Sequence, residues 1–401
     1  MKPNENLERF LRYVKFDTQS NENSLSVPSA AKELDLTKFL QKELKELGIE
    51  SSINEFGILY GSLEGEKNLD PIGLNAHVDT ASECSGKDVK PQIVENYDGG
   101  TIRLNDEYSM SAREFPSLAN KIGKTLVTTS GDTLLGADDK AGVAIIMAVL
   151  AYYAKHPEIK HHPIRFCFTP DEEIGRGPDH FDAKTFGAKY AYTIDGGDPY
   201  EIAIETFNAA HASVKIHGIS IHPGEAKGKM QNASNLAMEF DALLPQEARP
   251  QFTEGHEGFV HLVGMDGNVD LASLHYIIRD HDAKKLEEKK TWFEEAKKVL
   301  EAKHPGIEIE LDICNDYRNM KEVLDEHPEA VEKAKEAFAK LGVTPTFPPI
   351  RGGTDGATFS FKGCPTPNLG TGSYHHHGRF EYLCVEEFDW LIELVKTILK
   401  A

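Results

Sequence analysis

The chain has 401 residues, of which 40% are hydrophobic and 27% are charged, and its formal net charge at pH 7 is −21. This composition is typical of a globular protein, and the length predicts two domains. The acidic charge argues against nucleic acid or an anionic membrane as a partner, since both require a basic face.

Compartment and redox state follow from the same composition. Residues 1–6 lack the apolar core of a signal peptide, and no run approaches the ~18 apolar residues of a membrane helix. We therefore expect a cytoplasmic protein. The five cysteines show no short Cys-x-x-Cys spacing, which indicates neither a disulfide framework nor a thiolate zinc site.

Helices and strands are predicted from the spacing of apolar residues. In the first half of the chain, helices are predicted near residues 7–14, 30–47 and 137–154, and strands at 53–60, 72–76, 164–168 and 190–194. Residues 81–129 are long and weakly patterned. A loop of that length is more often functional or internally structured than idle.

The second half begins with a change of pattern. Predicted strands and helices follow in the order β-α-β-β-α-β, at residues 212–217, 233–244, 258–263, 269–278, 284–303 and 307–313. This order is that of a ferredoxin-like unit. The chain then continues with a helix, a strand, a short helix, a strand and a final helix, at 328–341, 346–350, 357–361, 365–369 and 385–399.

Strands that alternate with helices predict an α/β domain with a mixed, mostly parallel sheet. We assign residues 1–206 and 319–401 to this catalytic domain, and residues 207–318 to an inserted α+β lid or dimerisation domain. In open sheets of this kind, ligands bind beyond the carboxyl ends of the strands.

Residues of metal-ligand type lie at those strand ends. His77, Glu173 and Asp195 each follow a predicted strand, and Asp138 opens the helix after Gly136. Asp138 alone could be a helix cap, and acidic residues 171–173 alone could be solvated surface. Their joint occurrence favours a metal site.

A run of three histidines near the end of the chain supplies the last candidate. The pattern alone does not choose among residues 375–377, and only the resemblance described below singles out His377. With His377 taken from this run, five candidate ligands line the predicted edge: His77, Asp138, Glu173, Asp195 and His377. This number suits two metal ions, with one carboxylate as a bridge and one further carboxylate and one imidazole for each ion. The donor types suit Zn²⁺, with Co²⁺ or Mn²⁺ as alternatives. Two such ions can activate a water and polarise a carbonyl, which predicts metal-assisted amide hydrolysis.

Two neighbouring acids have predicted supporting roles. Asp79 follows His77 by two residues and could accept the second ring N–H of that histidine, with an exposed turn as the alternative. Glu172 stands next to Glu173 and would be free to act as general base and then protonate the leaving amine.

Several stretches together resemble the di-zinc exopeptidases that include carboxypeptidase G, aminoacylase and succinyl-diaminopimelate desuccinylase. The resemblance covers nearly the whole chain, and its most specific motifs are residues 77–80, 84–87, 91–97, 135–142, 169–175, 222–224, 276–280 and 349–357. The resemblance implies one ligand pair for each zinc ion and a shared carboxylate between them: His77 with Asp195, Glu173 with His377, and Asp138 as the bridge.

The resemblance also implies roles outside the ligand set. His222 resembles a lid histidine that stabilises the tetrahedral oxyanion. Arg279 and Arg351 resemble residues that hold the substrate carboxylate, with ordinary surface arginines as the alternative. Close family members have a Tyr-Asn-aromatic run before the last ligand. Here that run is Tyr374, His375 and His376, so neighbouring histidines could compete for metal.

Within this family the motifs are most similar to those of aminopeptidases that act on tripeptides. This implies hydrolysis of the N-terminal bond of small peptides by a water that two zinc ions activate, with a homodimer left open. One alternative is a dipeptidase, carboxypeptidase or N-acyl amino acid hydrolase on the same site. Another is a non-catalytic protein that closes its lid on peptides.

Overall fold

The structure is a computed structural model that describes residues 4–401. Residues 1–3 belong to the start on which the lack of a signal peptide was predicted, and they lie outside the described residues. Along the described chain the α-helices are α1 (Glu5–Tyr13), α2 (Glu33–Glu46), α3 (Ala137–Lys155), α4 (Ala183–Phe186), α5 (Ala233–Leu243), α6 (Ala283–Lys303), α7 (Lys321–Glu326), α8 (Glu329–Lys340), α9 (Asp355–Phe361) and α10 (Val385–Leu399).

The β-strands are interspersed with these helices along the described chain. They are β1 (Glu50–Ile53), β2 (Leu59–Leu63), β3 (Ile72–His77), β4 (Gln92–Val94), β5 (Ile102–Arg103), β6 (Ser109–Met110), β7 (Leu126–Thr128), β8 (Ile164–Thr169), β9 (Tyr190–Gly196), β10 (Ile202–Ala203), β11 (Asn208–His217), β12 (Phe259–Gly267), β13 (Leu271–Asp280), β14 (Glu308–Asn315), β15 (Asn368–Gly370), β16 (Ser373–Tyr374) and β17 (Tyr382–Cys384).

The chain divides into two compact units. The first unit comprises the chain up to Ile204, Met320–Pro348 and Thr354–Ala401, and the second comprises Glu205–Asn319 and Pro349–Gly353. Residues 349–353 therefore differ from the sequence analysis, which assigned them to the catalytic domain. The reason is backbone pairing. Ile350 N–H donates to the Glu205 carbonyl at 2.9 Å, and Phe207 N–H donates to the Gly352 carbonyl at 3.2 Å.

The first unit is built on a seven-stranded sheet of order β1-β2-β8-β3-β9-β15-β10. Strands β8, β3, β9 and β15 run parallel at its centre, and the remaining pairs are antiparallel. All residues of β3 are buried, as expected for a central strand covered on both faces. The predicted mixed, mostly parallel α/β sheet is confirmed.

Helix α3 forms much of the core of this unit. It packs against β3, β9, α1 and α10, and its residues 143–150 are at most 5% exposed. The apolar spacing predicted one buried face, but the helix is buried on all faces because the intervening positions are also apolar. Each buried Val, Leu, Ile or Met side chain contributes about 1.5–3 kcal/mol to folding.

Two predicted strands of the first unit were wrong. Residues 53–60 form a hairpin instead, because Asn54 accepts the N–H groups of Phe56 and Ile58 at 3.0 and 2.9 Å and Gly57 takes φ +83°. Residues 346–350, all of them described, form no strand. Thr346 makes only an isolated bridge to Glu201, since the prolines at 348 and 349 have no N–H to pair.

The weakly patterned residues 81–129 have internal structure, as expected. Strands β4 and β7 join β16 and β17 in a four-stranded sheet of order β16-β17-β7-β4, and β5 with β6 forms a separate two-stranded ribbon. This part of the chain thereby fixes the segment that runs from β16 to β17. That segment carries the last three histidines of the chain.

The second unit contains β11, α5, β12, β13, α6 and β14, in the predicted β-α-β-β-α-β order. Its sheet is antiparallel throughout, with the order β12-β13-β11-β14. Side chains alternate between buried and more exposed along β11, so one face of the sheet forms a core with the two helices. Val214, Phe240 and Phe293 lie fully buried in that core.

Candidate metal centre

The candidate site lies at the carboxyl ends of adjacent strands in the first unit. Strand β3 ends at His77, and Asp195 lies one residue before the end of β9. Strand β8 ends opposite His77, at Thr169, and leads into a short 3-10 turn, Glu172–Ile174. Because β3 pairs with both β8 and β9, the sheet brings these three chain segments together.

Asp138 reaches this edge from the start of helix α3. Gly136 turns the chain there with φ +76°, a conformation that glycine adopts without strain, and Asp138 itself has non-helical φ and ψ. Asp138 Oδ1 lies 3.0 Å from His77 Nε2, and Asp138 Oδ2 lies 3.3 Å from His377 Nε2. The two oxygens of one carboxylate therefore face two different imidazoles.

Each imidazole also faces a second carboxylate. His77 Nε2 lies 3.5 Å from Asp195 Oδ1, and His377 Nε2 lies 3.0 Å from Glu173 Oε2. The structure thus brings all five predicted ligands together around Asp138. Two sets of three possible ligand residues are especially compact, because the ligand atoms within each set all lie within 4.8 Å of one another. One set is His77, Glu172 and Asp195, and the other is His77, Asp138 and Glu173.

A further observation indicates that these donors are suited to metal ions. Glu173 Oε1 is buried and has no hydrogen-bond partner among residues 4–401. A buried carboxylate oxygen without a partner is costly, and a cation would satisfy it. The first unit therefore contains a candidate metal site. Glu172 belongs to one of the two sets, so distance alone leaves it as either a ligand or a proton acceptor.

Close packing of helix and strand depends on Gly142 in the first turns of α3. A Cβ at this position would lie 1.9 Å from the carbonyl oxygen of Ile194 and 2.4 Å from Asp139 Oδ1. Any larger residue would push α3 away from the end of β9. Glycine at position 142 therefore helps to set the separation of Asp138 from Asp195.

The turn that carries the three histidines has a strained backbone. His375 and His377 have φ of +57° and +62°, and a non-glycine residue in this region costs roughly 1–3 kcal/mol. His375 Nε2 lies 2.9 Å from Ser117 Oγ. His376 Nδ1 lies 3.5 Å from Asp138 Oδ2, so His376 is the histidine that could compete with His377.

Burial and neighbouring charges shift the titration of this cluster. Burial raises the pKa of Glu173 to about 7 and the pKa of Asp195 to about 6. Hydrogen bonds to Asp138 and Glu173 raise the pKa of His377 to about 11. Burial alone would lower the pKa of His77, but the charge of Asp195 and the hydrogen bond to Asp138 hold it well above its usual value. Without a cation, this cluster therefore retains protons.

Metal binding should accordingly stabilise the protein more at pH 8 than at pH 5.5. The pKa of Glu173 rises from 4.5 to about 7, that of Asp195 from 3.8 to about 6 and that of His377 from 6.5 to about 11. Each shift means that the folded, metal-free protein binds these protons more tightly than the unfolded chain does. The stability that these protons contribute is fully present below the unfolded pKa and is lost as the pH rises through the folded pKa. Between pH 5.5 and pH 8 this loss concerns Glu173 and Asp195, so metal no longer has to displace their protons at pH 8, whereas the proton of His377 must be displaced at both pH values.

Melting temperatures with and without Zn²⁺, measured at both pH values, check this expectation. The metal-induced rise should be the larger at pH 8, and Glu173→Gln should reduce the difference between the two pH values. An equal rise at both values would contradict the proton competition.

Two carboxylates outside the ligand set, those of Asp79 and Glu83, contact the imidazole rings of the site, and Asp79 also holds the turn of Glu172. Asp79 is fully buried, which excludes the exposed turn, and its Oδ1 lies 3.2 Å from His77 Nδ1. Asp79 also accepts the backbone N–H groups of Glu172 and Glu173 at 3.1 and 3.2 Å. On the other side, Glu83 Oε1 lies 3.4 Å from His377 Nδ1. Both imidazoles thus face Asp138 with Nε2 and an outer carboxylate with Nδ1.

Several buried acids near the site received no role from the sequence, among them Asp139, Asp355 and Glu381. Asp139 accepts the N–H groups of His77 and Gly142, both at 3.1 Å. Asp355 Oδ2 accepts a hydrogen bond from Thr169 Oγ1, and burial raises the pKa of Asp355 to about 7. Charged residues are rarely fully buried without a partner, so knowledge of their burial would have indicated a structural role for these acids. The sequence pattern does not show which acids are buried.

The remaining predicted residues belong to the second unit. His222 is exposed, and its Nδ1 accepts the N–H of Gly224 at 3.1 Å. Arg279 Nη1 donates to the Ala210 carbonyl at 2.8 Å. Arg351 Nη1 donates to two backbone carbonyls of residues 255–257, at 2.9 and 2.6 Å. Their roles toward a substrate stay predictions.

A mostly parallel sheet whose strand ends gather imidazoles and carboxylates around one aspartate defines a metal-dependent hydrolase. The sequence model of Peptidase family M20/M25/M40 matches residues 134–401, and the chain belongs to this family. The resemblance to the di-zinc exopeptidases and the prediction of a metallo-exopeptidase are thereby confirmed.

Individual relatives cover nearly the full length of the chain. Peptidase T of Shouchella clausii is 48% identical over 395 residues, which are 98% of this chain and 97% of that protein. Aminopeptidase PepT of Bacillus cereus has a TM-score of 0.77 and 25% identity, with 98% of this chain and 97% of its own covered. A tripeptidase of Staphylococcus aureus has a TM-score of 0.79 at 21% identity, with the same coverage, and supports the fold.

Among residues 4–401, every helix is too short or too polar to cross a bilayer.

Proposed function

We propose that the chain is an aminopeptidase that hydrolyses the N-terminal peptide bond of tripeptides with two Zn²⁺ ions per subunit. The observation that carries this proposal is the placement of Asp138, whose two oxygens face His77 and His377 at 3.0 and 3.3 Å. A carboxylate in that position is suited to bridge two ions. Asp195 would then bind the same ion as His77, and Glu173 would bind the same ion as His377.

The choice of metal rests on the donor types. Imidazole nitrogen and carboxylate oxygen together suit Zn²⁺, and Co²⁺ or Mn²⁺ are the alternatives. When bound, the two ions would lower the pKa of a water molecule and polarise the carbonyl of the scissile bond.

Glu172 is the proton acceptor in this proposal. Burial raises the pKa of Glu172 well above its usual value, which makes its carboxylate a stronger base. Asp79 holds the backbone N–H of Glu172 at 3.1 Å and so fixes the start of the turn that carries it. Glu172 takes a proton from the attacking water and delivers it to the nitrogen of the leaving amine.

Residues of the second unit complete the proposed mechanism. His222 donates a hydrogen bond to the oxyanion that forms on the scissile carbonyl, a position where a fixed donor contributes to catalysis. Arg279 and Arg351 hold the carboxylate of the substrate, for which a guanidinium fork is suited. The second unit would then act as a lid.

The choice of tripeptides is supported by the relatives. They are named peptidase T, aminopeptidase PepT and tripeptidase, and the first two have 48% and 25% identity to this chain. Cytoplasmic location and a homodimer remain predictions from the sequence, as does the absence of nucleic-acid partners.

An unblocked tripeptide and its N-acetylated twin test the reaction directly. The zinc-loaded enzyme is expected to release the first residue of the unblocked peptide and to leave a dipeptide. An aminopeptidase requires the free amino group of its substrate, and a site that hydrogen-bonds a substrate group rejects an analogue without it by about 10,000-fold or more, so the acetylated twin should remain intact. Mass spectrometry of the products checks both outcomes, and chelator-treated enzyme is the control.

Other product patterns would favour the alternatives. Cleavage of the acetylated twin would indicate an N-acyl amino acid hydrolase or a carboxypeptidase, and cleavage of dipeptides in preference would indicate a dipeptidase. Stoichiometric binding of the tripeptide without any turnover would favour the peptide-binding protein. None of these outcomes is compatible with the proposed tripeptide aminopeptidase.

A further inference from the structure

Glu381 is a buried acid that is not among the proposed ligands. It lies between the turn that carries His377 and strand β17, and it is 1% exposed. Its own N–H donates to the carbonyl of Gly378 at 3.2 Å, which ties it to that turn. A carboxylate buried to this degree requires partners that offset the loss of hydration.

The partners of Glu381 are three backbone N–H groups of a single loop. Glu381 Oε2 accepts the N–H of Leu135 at 2.7 Å and that of Gly136 at 2.8 Å, and Oε1 accepts the N–H of Asp138 at 2.9 Å. Hydrogen bonds to an ionised carboxylate are shorter and stronger than bonds between neutral groups. One side chain therefore holds the loop that delivers Asp138 to the candidate metal site.

This arrangement joins two chain segments that are far apart in sequence. Asp138 lies on the loop that Glu381 holds, and His377 lies four residues before Glu381 on the same turn. Asp138 and His377 are therefore connected in two ways. Asp138 Oδ2 lies 3.3 Å from His377 Nε2, and Glu381 links the loop of Asp138 to the turn of His377. If that connection is broken, Asp138 and His377 can shift relative to each other.

We propose that Glu381 is a positioning residue that locks the backbone of Asp138 to the turn of His377 and so keeps the two metal positions in their correct separation. The inference rests on the metal assignment proposed above and is independent of the substrate class. Glu381 is not among the proposed metal ligands, and it acts through the three backbone N–H groups whose hydrogen bonds it accepts.

Glutamine is the informative replacement at this position. Its amide oxygen can accept the N–H groups of Leu135 and Gly136, but its NH₂ group would then face the N–H of Asp138, and two donors cannot bond to each other. Residues that support metal ligands typically change metal affinity or activity by 10- to 100-fold when they are replaced. We expect Glu381→Gln to weaken zinc binding by about 10- to 100-fold.

The experiment is a competitive chelator titration of zinc, combined with hydrogen exchange of the metal-free chain in the peptide that covers residues 134–139. Glu381→Gln is expected to lower zinc affinity and to speed amide exchange in that peptide. Glu43→Gln is the matched control, because Glu43 is a mostly buried acid that accepts from Arg9 and Tyr13, both at 2.8 Å, in the same unit. We expect this control to retain wild-type zinc affinity.

The outcomes separate this inference from the proposed function. Wild-type enzyme that takes up no zinc would refute the proposed function and the inference together. Zinc affinity and exchange within twofold of wild type in Glu381→Gln would refute the inference alone, and so would an equal loss of affinity in Glu43→Gln.

A second variant covers the case in which Glu381→Gln does not fold. Glu381→Asp keeps the charge but is one methylene shorter, so its carboxylate cannot reach all three N–H groups. It should lose zinc affinity as well, and wild-type affinity in this variant would overturn the inference.

Discussion

Glutamine in place of Glu172 is expected to lower kcat for tripeptide hydrolysis by about 100- to 10,000-fold while the enzyme retains both metal ions. Glutamine has nearly the same shape as glutamate but cannot accept a proton from water. The N–H of residue 172 would still donate to Asp79, so the turn should keep its position. Steady-state kinetics, together with metal content measured on the same sample, check the expectation.

This measurement also decides between two roles that distance alone leaves open. The carboxylate of Glu172 lies within 4.8 Å of the ligand atoms of His77 and Asp195, so Glu172 could bind the metal instead of moving a proton. Loss of one ion from Glu172→Gln would show that it is a ligand. A kcat within tenfold of the wild-type value would show that Glu172 is neither a metal ligand nor the proton acceptor. Asp179→Asn, an exposed acid farther along the same loop, is the control and should behave as wild type.

The sheet edge could be predicted because apolar runs mark strands, and the polar residue after each run marks its end. His77 and Asp195 lie at the ends of β3 and β9 as expected, and Glu173 follows β8. Helix α10 was predicted with the bounds that the structure has, Val385–Leu399. In these segments local pattern and tertiary burial agree, because the strands lie at the centre of the sheet and the helix packs against α3.

Prediction was weaker where proline and turn chemistry override an apolar run. Residues 346–350 look like a strand by composition, but two prolines remove the donors that pairing needs. Residues 53–60 look like one strand, but the side chain of Asn54 and the flexibility of Gly57 reverse the chain. Both segments depend on backbone hydrogen bonds that apolar spacing does not record.

The supporting acids other than Asp79 could not be predicted, for a different reason. Asp139 and Glu381 are buried by residues distant in sequence, and their partners are backbone N–H groups, which every residue except proline carries. The choice of His377 from the run 375–377 likewise came from resemblance. In the structure it follows from contacts with Asp138 and Glu173 across the site. Such information lies in tertiary proximity and not in local spacing.

Asparagine in place of Asp138 is expected to lower the affinity for both metal ions by well over 100-fold and to abolish measurable peptide hydrolysis. Residues that merely support a ligand cost about 10- to 100-fold when they are replaced, and Asp138 would contact both ions directly. Its two oxygens face His77 and His377 separately, so a neutral amide with one oxygen cannot serve both sides. Metal content after dialysis against a weak chelator measures the loss.

Comparison with a terminal ligand makes this test specific to a bridge. Glu173→Gln removes a carboxylate that lies 3.0 Å from His377 Nε2, so under the proposed assignment it should release one ion and keep the other. Asp132→Asn, an exposed acid in the loop before α3, should keep both. If Asp138→Asn loses one ion only, as Glu173→Gln is expected to do, Asp138 is an ordinary ligand of a single metal. Two ions held at wild-type affinity would remove Asp138 from the metal site altogether.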